Sequence, residues 1–392
     1  MTTWTLAKLT SGTADGLFHS HSYYDIPVLD ASGSRVLAHR TRFAGRHPAP
    51  EDAVPVGVVP TDGSGGFRPI GESRAWSWQQ GPMAQWLDDR RAVFNDREGA
   101  DRFVARVVDV ESGETRTLPR PVYALSPDGA AALGLNMARL DTLRPGYGYV
   151  GGAGAKLDKQ APADDGVWRI DPATGETRLI LSLRDARAFA APRLRLRYRV
   201  EHRLRPPHFW FNHAKIAPGG RRFTVKLRWR VPGRGWNDRQ GVSLTADLDG
   251  GDLRLLADAT SHVIWLNDRQ LYAWRLRELA LFDDADRPDN RVRRIAPEAV
   301  AANVHMRHIP PGATDVLGLA VHDTPYREAV DLIVRDDRTG AVETVAAFSG
   351  HAPARGPFRC DLHPVPSADG RVIVVTSPQD GGRQVYALRR EG

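Results

Sequence analysis

With a single cysteine, Cys360, in 392 residues, the chain has no internal disulfide framework, and its thiol is left to packing, reactivity or metal ligation. Long apolar runs are missing as well. None approaches the roughly 18 residues that a membrane span needs, and the start "MTTWTLAKLTSG" lacks the charged opening and extended apolar core of a secretory leader. The expectation is a cytoplasmic protein with no membrane partner. Lysine is scarce, five residues in a combined Lys and Arg count of 54, so the net charge of +7 rests on arginine. The densest run, "RLRLRYRVEHRLR" at 193–205, puts Arg193, Arg195, Arg197 and Arg199 on one face if it is a strand. That face is either solvated surface or a contact for an anionic ligand. No nucleic-acid module accompanies the run, which argues against a nucleic-acid partner. Convincing amphipathic helices are nearly absent.

What is present is turn chemistry and short strands. The 37 Gly and 28 Pro fall between alternating or apolar runs such as "RVLAHRTRF", "RFTVKLRWR", "HVIWL" and "RVIVVTS". Most of these runs follow a tight-turn signal in which Gly or Asp tolerates the backbone angles required. Markers at Gly33, Asp89, Gly129, Gly219, Asp268, Gly312 and Gly370 lie 56, 40, 90, 49, 44 and 58 residues apart, close to the length of a four-stranded propeller blade. A second turn type, in "DVESGETR", "DPATGETR" and "DDRTGAVE", suits the hairpin between a blade's outer strands. The fold expected is all-β, a seven-bladed β-propeller forming a single domain over 1–392, with the Arg-rich segment inserted around 184–207. A pair of β-sandwiches is the competing architecture. "WTLAKL" is expected to complete the last blade beside "QVYALRR", which removes the free sheet edge.

Five segments are richer than a structural repeat requires: "FHSHSYYDIP", "WSWQQGPMAQWLDDRRAVFNDR", "YALSPDGAAALGLNMARLDTLRPGYGY", "HFWFNHAKIAPGG" and "RCDLHPVPSADG". The second, third and fifth, with the late "GGRQVYAL", resemble in order and over nearly the whole chain a family of seven-bladed propellers. That family includes the ulvan-type polysaccharide lyases and, more distantly, the oligogalacturonate lyases. The resemblance implies an active site of two early histidines, a tyrosine and an arginine. Carried over by position, these are His21 and His39, with His19 as the alternative to His21, and Tyr123 and Arg139. It further implies substrate contacts from Trp78, Gln80, Asn95, Arg144, Tyr147 and Tyr149. The chemistry such a set suits is β-elimination on a uronic acid. A guanidinium neutralises the carboxylate and stabilises the enediolate, while a Tyr/His pair shares the acid and base roles. The expected partner is an acidic oligosaccharide or another anionic small molecule. A non-catalytic glycan- or protein-binding propeller, and a propeller enzyme turned to another acid–base reaction in biosynthesis, stay open beside it.

Cys360 and His363 in "CDLH" have a spacing that can place thiolate and imidazole on one metal. His213, His262 and, as an alternative, His305 head the inner strands of late blades. The resembled lyases hold structural zinc or another divalent ion, so structural Zn2+ on His213, His262, Cys360 and His363 is expected, and no organic cofactor. Two late strings depart from the family pattern: "HPVPS", with Val365 where an arginine is expected, and "HDTPYRE" at 322–328.

Overall fold

Seven four-stranded antiparallel sheets, six of them taking their strands in sequence order, make a ring of seven blades. The structure, a computed structural model, describes residues 3–391 other than 101, 232, 234–239, 310–318, 326 and 352–355. Blade one begins with Phe18–Ser20, blade two with Gln85–Trp86, blade three with Ala124–Leu125 and blade four with His208–Ile216. Blades five, six and seven begin with Thr260–Trp265, Met306–Ile309 and Val365–Pro366. Blade seven is completed by Thr3–Lys8, which pairs antiparallel with Gln384–Glu391 from Thr3 opposite Glu391 to Lys8 opposite Tyr386. N- and C-terminal strands thus share one sheet, which closes the ring.

Local chemistry explains where the chain turns. Between the first and second strands of a blade, several turn markers have a carboxylate, amide or hydroxyl that accepts backbone N–H groups ahead of it. Asp88 Oδ1 takes the N–H of Arg90 and Arg91, Asn267 Oδ1 those of Arg269 and Gln270, and Ser367 Oγ that of Val372. Gly312 lies outside the described residues. The second turn type closes the outer hairpins of blades two, three and six. Asp109, Asp171 and Asp336 accept from the N–H groups two and three residues on. In the same turns Gly113, Gly175 and Gly340 adopt φ of 77°, 80° and 77°, a region that glycine enters without steric cost. Between these turns, strands such as Val372–Ser377 are buried along their whole length, because each blade is covered on both faces by its neighbours. Burying one such aliphatic side chain stabilises by about 1.5–3 kcal/mol.

The Arg-rich segment is not a strand. After blade three the chain forms helices Leu183–Ala190 and Leu196–Leu204, joined by a short turn at Ala191–Arg193. Ser182 caps the first helix, accepting the Asp185 N–H at 3.0 Å, while the second, which holds Arg197 and Arg199, starts without a side-chain cap. Arg193 and Arg195 therefore do not share a sheet face: Arg193 donates to the Phe189 carbonyl and Arg195 pairs with Asp258.

Candidate functional site

At or near the innermost strand, each blade contributes a polar or aromatic side chain to one cluster. Blade one supplies Tyr23, which stacks on His213 of blade four with ring centroids 5.5 Å apart and meets His363 of blade seven edge-on at 4.5 Å. Its neighbour Tyr24 lies 5.2 Å from His305 of blade six and 5.6 Å from His262 of blade five, and the last two rings are 4.4 Å apart. Tyr123, ahead of blade three, accepts a hydrogen bond from Gln80 Nε2 (2.6 Å), which precedes blade two, and another from the His213 N–H (3.0 Å). His213, His262 and His363 hold φ of 54°, 47° and 49°, a region that costs a non-glycine residue about 1–3 kcal/mol. At the first two the ladder register slips. These bulges free the imidazoles from strict strand alternation.

Within this cluster His305, Asp361 and His363 form a potential metal centre, their ligand atoms all within 4.8 Å of one another. Asp361 Oδ2 lies 4.0 Å from His305 Nε2 and 3.8 Å from His363 Nε2. Both nitrogens are buried without a hydrogen-bond partner among the described residues. His305 Nδ1 is fixed by Asp323 at 2.8 Å, the carboxylate–histidine pairing that orients an imidazole toward an ion. Two imidazoles and a carboxylate facing one another fit a divalent cation such as Mn2+, Fe2+ or Zn2+, with Arg359 pairing the carboxylate at 2.8 Å.

Cys360 is not in that group, which corrects the thiolate expected there. Its sulfur faces the Thr376 and Asp361 carbonyls at 3.7 and 3.9 Å, and burial pushes the thiol up to about 11. In extended chain, residues two apart share a face and residues three apart do not. Asp361 therefore sides with His363, and Cys360 points away. His213 is likewise outside the group, with its Nδ1 3.5 Å from the Tyr123 hydroxyl. His262 stands beside it, with Nδ1 unpartnered among the described residues.

The early histidines are buried and neutral. His19 bonds Gln384 at 3.1 Å and packs on Phe67. His21 bonds the Ser22 carbonyl at 2.7 Å. His39 sits across the ladder from Ser20 and so close to Gly81 that a Cβ there would lie 2.6 Å from the ring. Burial pulls His19 and His21 down to about 4 and His39 to about 3. Through the Gln80–Gly81 step, His39 and Tyr123 belong to one wall.

Arg139 is elsewhere. The hairpin of Ala124–Leu125 with Ala132–Gly134 ends before Arg139, because Asn136 caps a helix at Met137–Leu143 by accepting the Arg139 N–H. The Arg139 guanidinium donates to five carbonyls, those of Phe209, Ala155, Lys156, Lys159 and Gln160, at 2.7–3.0 Å. Those donors tie down a loop and leave no fork for a substrate carboxylate.

Among the expected substrate contacts, Trp78 donates to the Arg46 carbonyl and lies under Arg383. Asn95 splices the Val122 backbone to the Tyr149 hydroxyl. Trp78, Asn95 and Tyr149 therefore serve packing. Tyr147, Arg144 and Gln80 border the cluster, and Arg144 lies over the Tyr147 ring at 4.2 Å. Several residues of the site carry no earlier assignment: Tyr23, Tyr24, Asp361, Arg359, and a buried pair in which Lys215 Nζ lies 3.0 Å from Asp25.

The sequence matches no family model and no curated protein. Solved structures share the fold. An oligogalacturonate lyase in complex with manganese superposes with a TM-score of 0.62 at 14% identity, covering 100% of this chain and 96% of that one. The oligogalacturonate lyase of Vibrio parahaemolyticus gives 0.53 at 12%, covering 99% and 97%. The tricorn protease gives 0.54 at 10%, covering 99% of this chain but 35% of its own. At these identities the likeness establishes a common seven-bladed architecture. Among the described residues no helix is long and apolar enough to cross a membrane.

Proposed function

We propose that the axial cluster binds an acidic sugar and promotes β-elimination next to its uronate carboxylate. The observation that carries this reading is the group of His305, Asp361 and His363, whose ligand atoms are buried and mutually close, the two imidazole nitrogens lacking a hydrogen-bond partner among the described residues, beside a wall of phenols and neutral imidazoles. The shared fold with oligogalacturonate lyases, one of them solved with manganese, supports it. His305, Asp361 and His363 would hold a divalent cation, with His262 beside them. Such an ion, when bound, draws charge from a carboxylate and acidifies the carbon next to it.

The protein's own groups then divide the remaining work. Tyr123 is kept protonated: burial, the largest influence, and the Asp25 charge raise its phenol above the ordinary range, despite the hydrogen bonds it accepts from Gln80 and His213. A protonated phenol on the axis suits delivery of a proton to the leaving oxygen. His21, His39 and His213 are neutral near pH 7 and available for hydrogen bonding or proton relay on the same side. Arg139 has no part in this scheme.

The test is incubation with Mn2+ and a panel of uronate-containing oligosaccharides, following the ultraviolet absorbance of the conjugated, unsaturated uronate that elimination creates. Product should form with Mn2+ and disappear with a chelator and in Asp361→Asn. Saturated products, or none from any uronate while the protein stays folded, would overturn the reading.

A further inference from the structure

Tyr147, a buried tyrosine of the site, faces two guanidiniums. Its hydroxyl accepts a hydrogen bond from Arg359 Nη2 at 2.9 Å, and the Arg144 guanidinium lies over its ring at 4.2 Å. Elsewhere the hydroxyls meet neutral donors, an acid or a single ammonium. Tyr149 accepts from Asn95, Tyr123 from Gln80 and a backbone N–H, and Tyr272 donates to Asp337. Tyr24 accepts from Lys215, whose charge is already met by Asp25.

The chain is shaped to keep Tyr147 there. It sits in "RPGYGY" between two glycines that are sterically required. A Cβ on Gly146 would lie 2.4 Å from Pro357, and one on Gly148 would lie 2.2 Å from the Met137 carbonyl. The loop is therefore clamped between the helix Met137–Leu143 and the segment carrying Pro357 and Arg359. Gln79 adds to the clamp, donating from its amide to the Pro357 and Arg359 carbonyls and from its N–H to the Gly146 carbonyl.

We propose, resting on the reading given under Proposed function, that Tyr147 is the proton acceptor of this site, held as a phenolate between Arg359 and Arg144. The groups facing it from each packed element are Arg359 from the segment before blade seven, Arg144 from the end of the helix, Tyr23 from blade one and neutral His213 from blade four. Asp361 acts from the far side of Arg359, which it pairs at 2.8 Å. Burial alone pushes the phenol up, but the two guanidiniums outweigh it and Asp361 together and bring Tyr147 down to about 7. In the reaction the phenolate oxygen takes the proton from C5 of the uronate, and the C–H electron pair moves into the enediolate. That pair then forms the C4–C5 double bond as the C4–O bond breaks, and Tyr123 gives its proton to the departing oxygen. Exchange with water returns a proton to Tyr123 and removes one from Tyr147, so turnover is proton-neutral.

The test begins without substrate. An ultraviolet pH titration of the folded protein should show one tyrosine ionising near pH 7, well below the remainder, which titrate at about 10 or higher. Tyr147→Phe should abolish that early step and lower turnover about 100-fold or more on a substrate the parent converts. Arg144→Gln keeps the phenol, so the early step and the rising limb of the pH–rate profile should move upward together. This covers the case in which Tyr147→Phe fails to fold. A parent with no tyrosine ionising below about pH 9 overturns the proposal, as does Tyr147→Phe with full turnover. If the early step is present but no uronate is eliminated, the functional reading fails and the acceptor role with it, while the phenolate stands. The two failures are thereby told apart.

Discussion

The histidines of blade one and those of blades six and seven are all buried, yet their chemical settings are opposite. His21 and His39 have no carboxylate at their rings; one nitrogen of His21 meets a carbonyl and His39 packs against Gly81. His305 has Asp323 at its back, and both His305 and His363 turn their other nitrogen toward Asp361. Burial without an acid leaves an imidazole neutral. An acid behind the ring, and a second one in front, turns the same side chain toward a cation. The early pair therefore reports on stability and the late pair on ligation.

The largest effect that follows is acid sensitivity from the early pair. Their folded values of about 4 and 3 lie below the unfolded value of about 6.5. Over the interval between, the unfolded chain binds more protons, so stability falls as pH drops. Each ring should cost about 2 kcal/mol between pH 7 and pH 5, or about 4 kcal/mol for the two. Arg383, His21 and His19 are the charged and titratable groups that bear on His39. Urea unfolding of parent and His39→Asn at both pH values measures the ring's share. The stability lost on acidification should shrink by about 2 kcal/mol in the variant, and an unchanged loss would mean that His39 is not held neutral.

A smaller effect separates the late pair. Mn2+ at about 100 times its Kd should stabilise the parent by about 2.7 kcal/mol, read as a rise in Tm. His363→Gln should lose that gain and His39→Asn should keep it. If both lose it, the two sets act as one site and the contrast between them is mistaken.

The blades were legible in the sequence because they are specified locally. An Asp or Asn accepting the next N–H groups and a glycine at positive φ recur at fixed places, as Asp109 with Gly113 and Asp171 with Gly175 do, and each can be read without knowing its neighbours. Closure by "WTLAKL" was legible for a similar reason, since alternating runs at the two ends need a partner. Helices were harder. Asn136 is an ordinary cap, but it sits inside a pattern that also suits strands, so Arg139 was misplaced, and the Arg-rich run alternates as a strand would although it is helical. The axial site was half visible. Histidines at strand heads suggested convergence, and His213, His262, His305 and His363 do lie in the cluster. Asp361 was missed because the cysteine beside it drew the ligand assignment. Two-residue alternation in "CDLH" held the signal that could have found it. Tyr23 and Tyr24 stood in "SYYDIP" without any local mark, because their importance comes from blades more than 180 residues away in sequence.

The smallest effect expected is at Cys360, and it tests the division between ligands and neighbours most narrowly. The thiol is protonated at neutral pH, since burial and the nearby Asp361 charge outweigh the lowering influence of Arg383. It lies against two carbonyls rather than facing His305 and His363. A serine hydroxyl can donate toward the same carbonyls from nearly the same volume. Cys360→Ser should therefore change stability by less than about 1 kcal/mol and leave the Mn2+-induced rise in Tm as large as in the parent. Calorimetry with and without Mn2+ checks both quantities on one sample. Loss of the rise in Cys360→Ser would return sulfur to the ligand set. A retained rise, together with its loss in His363→Gln, assigns the cation to imidazole and carboxylate alone, three residues along the chain but on the opposite face.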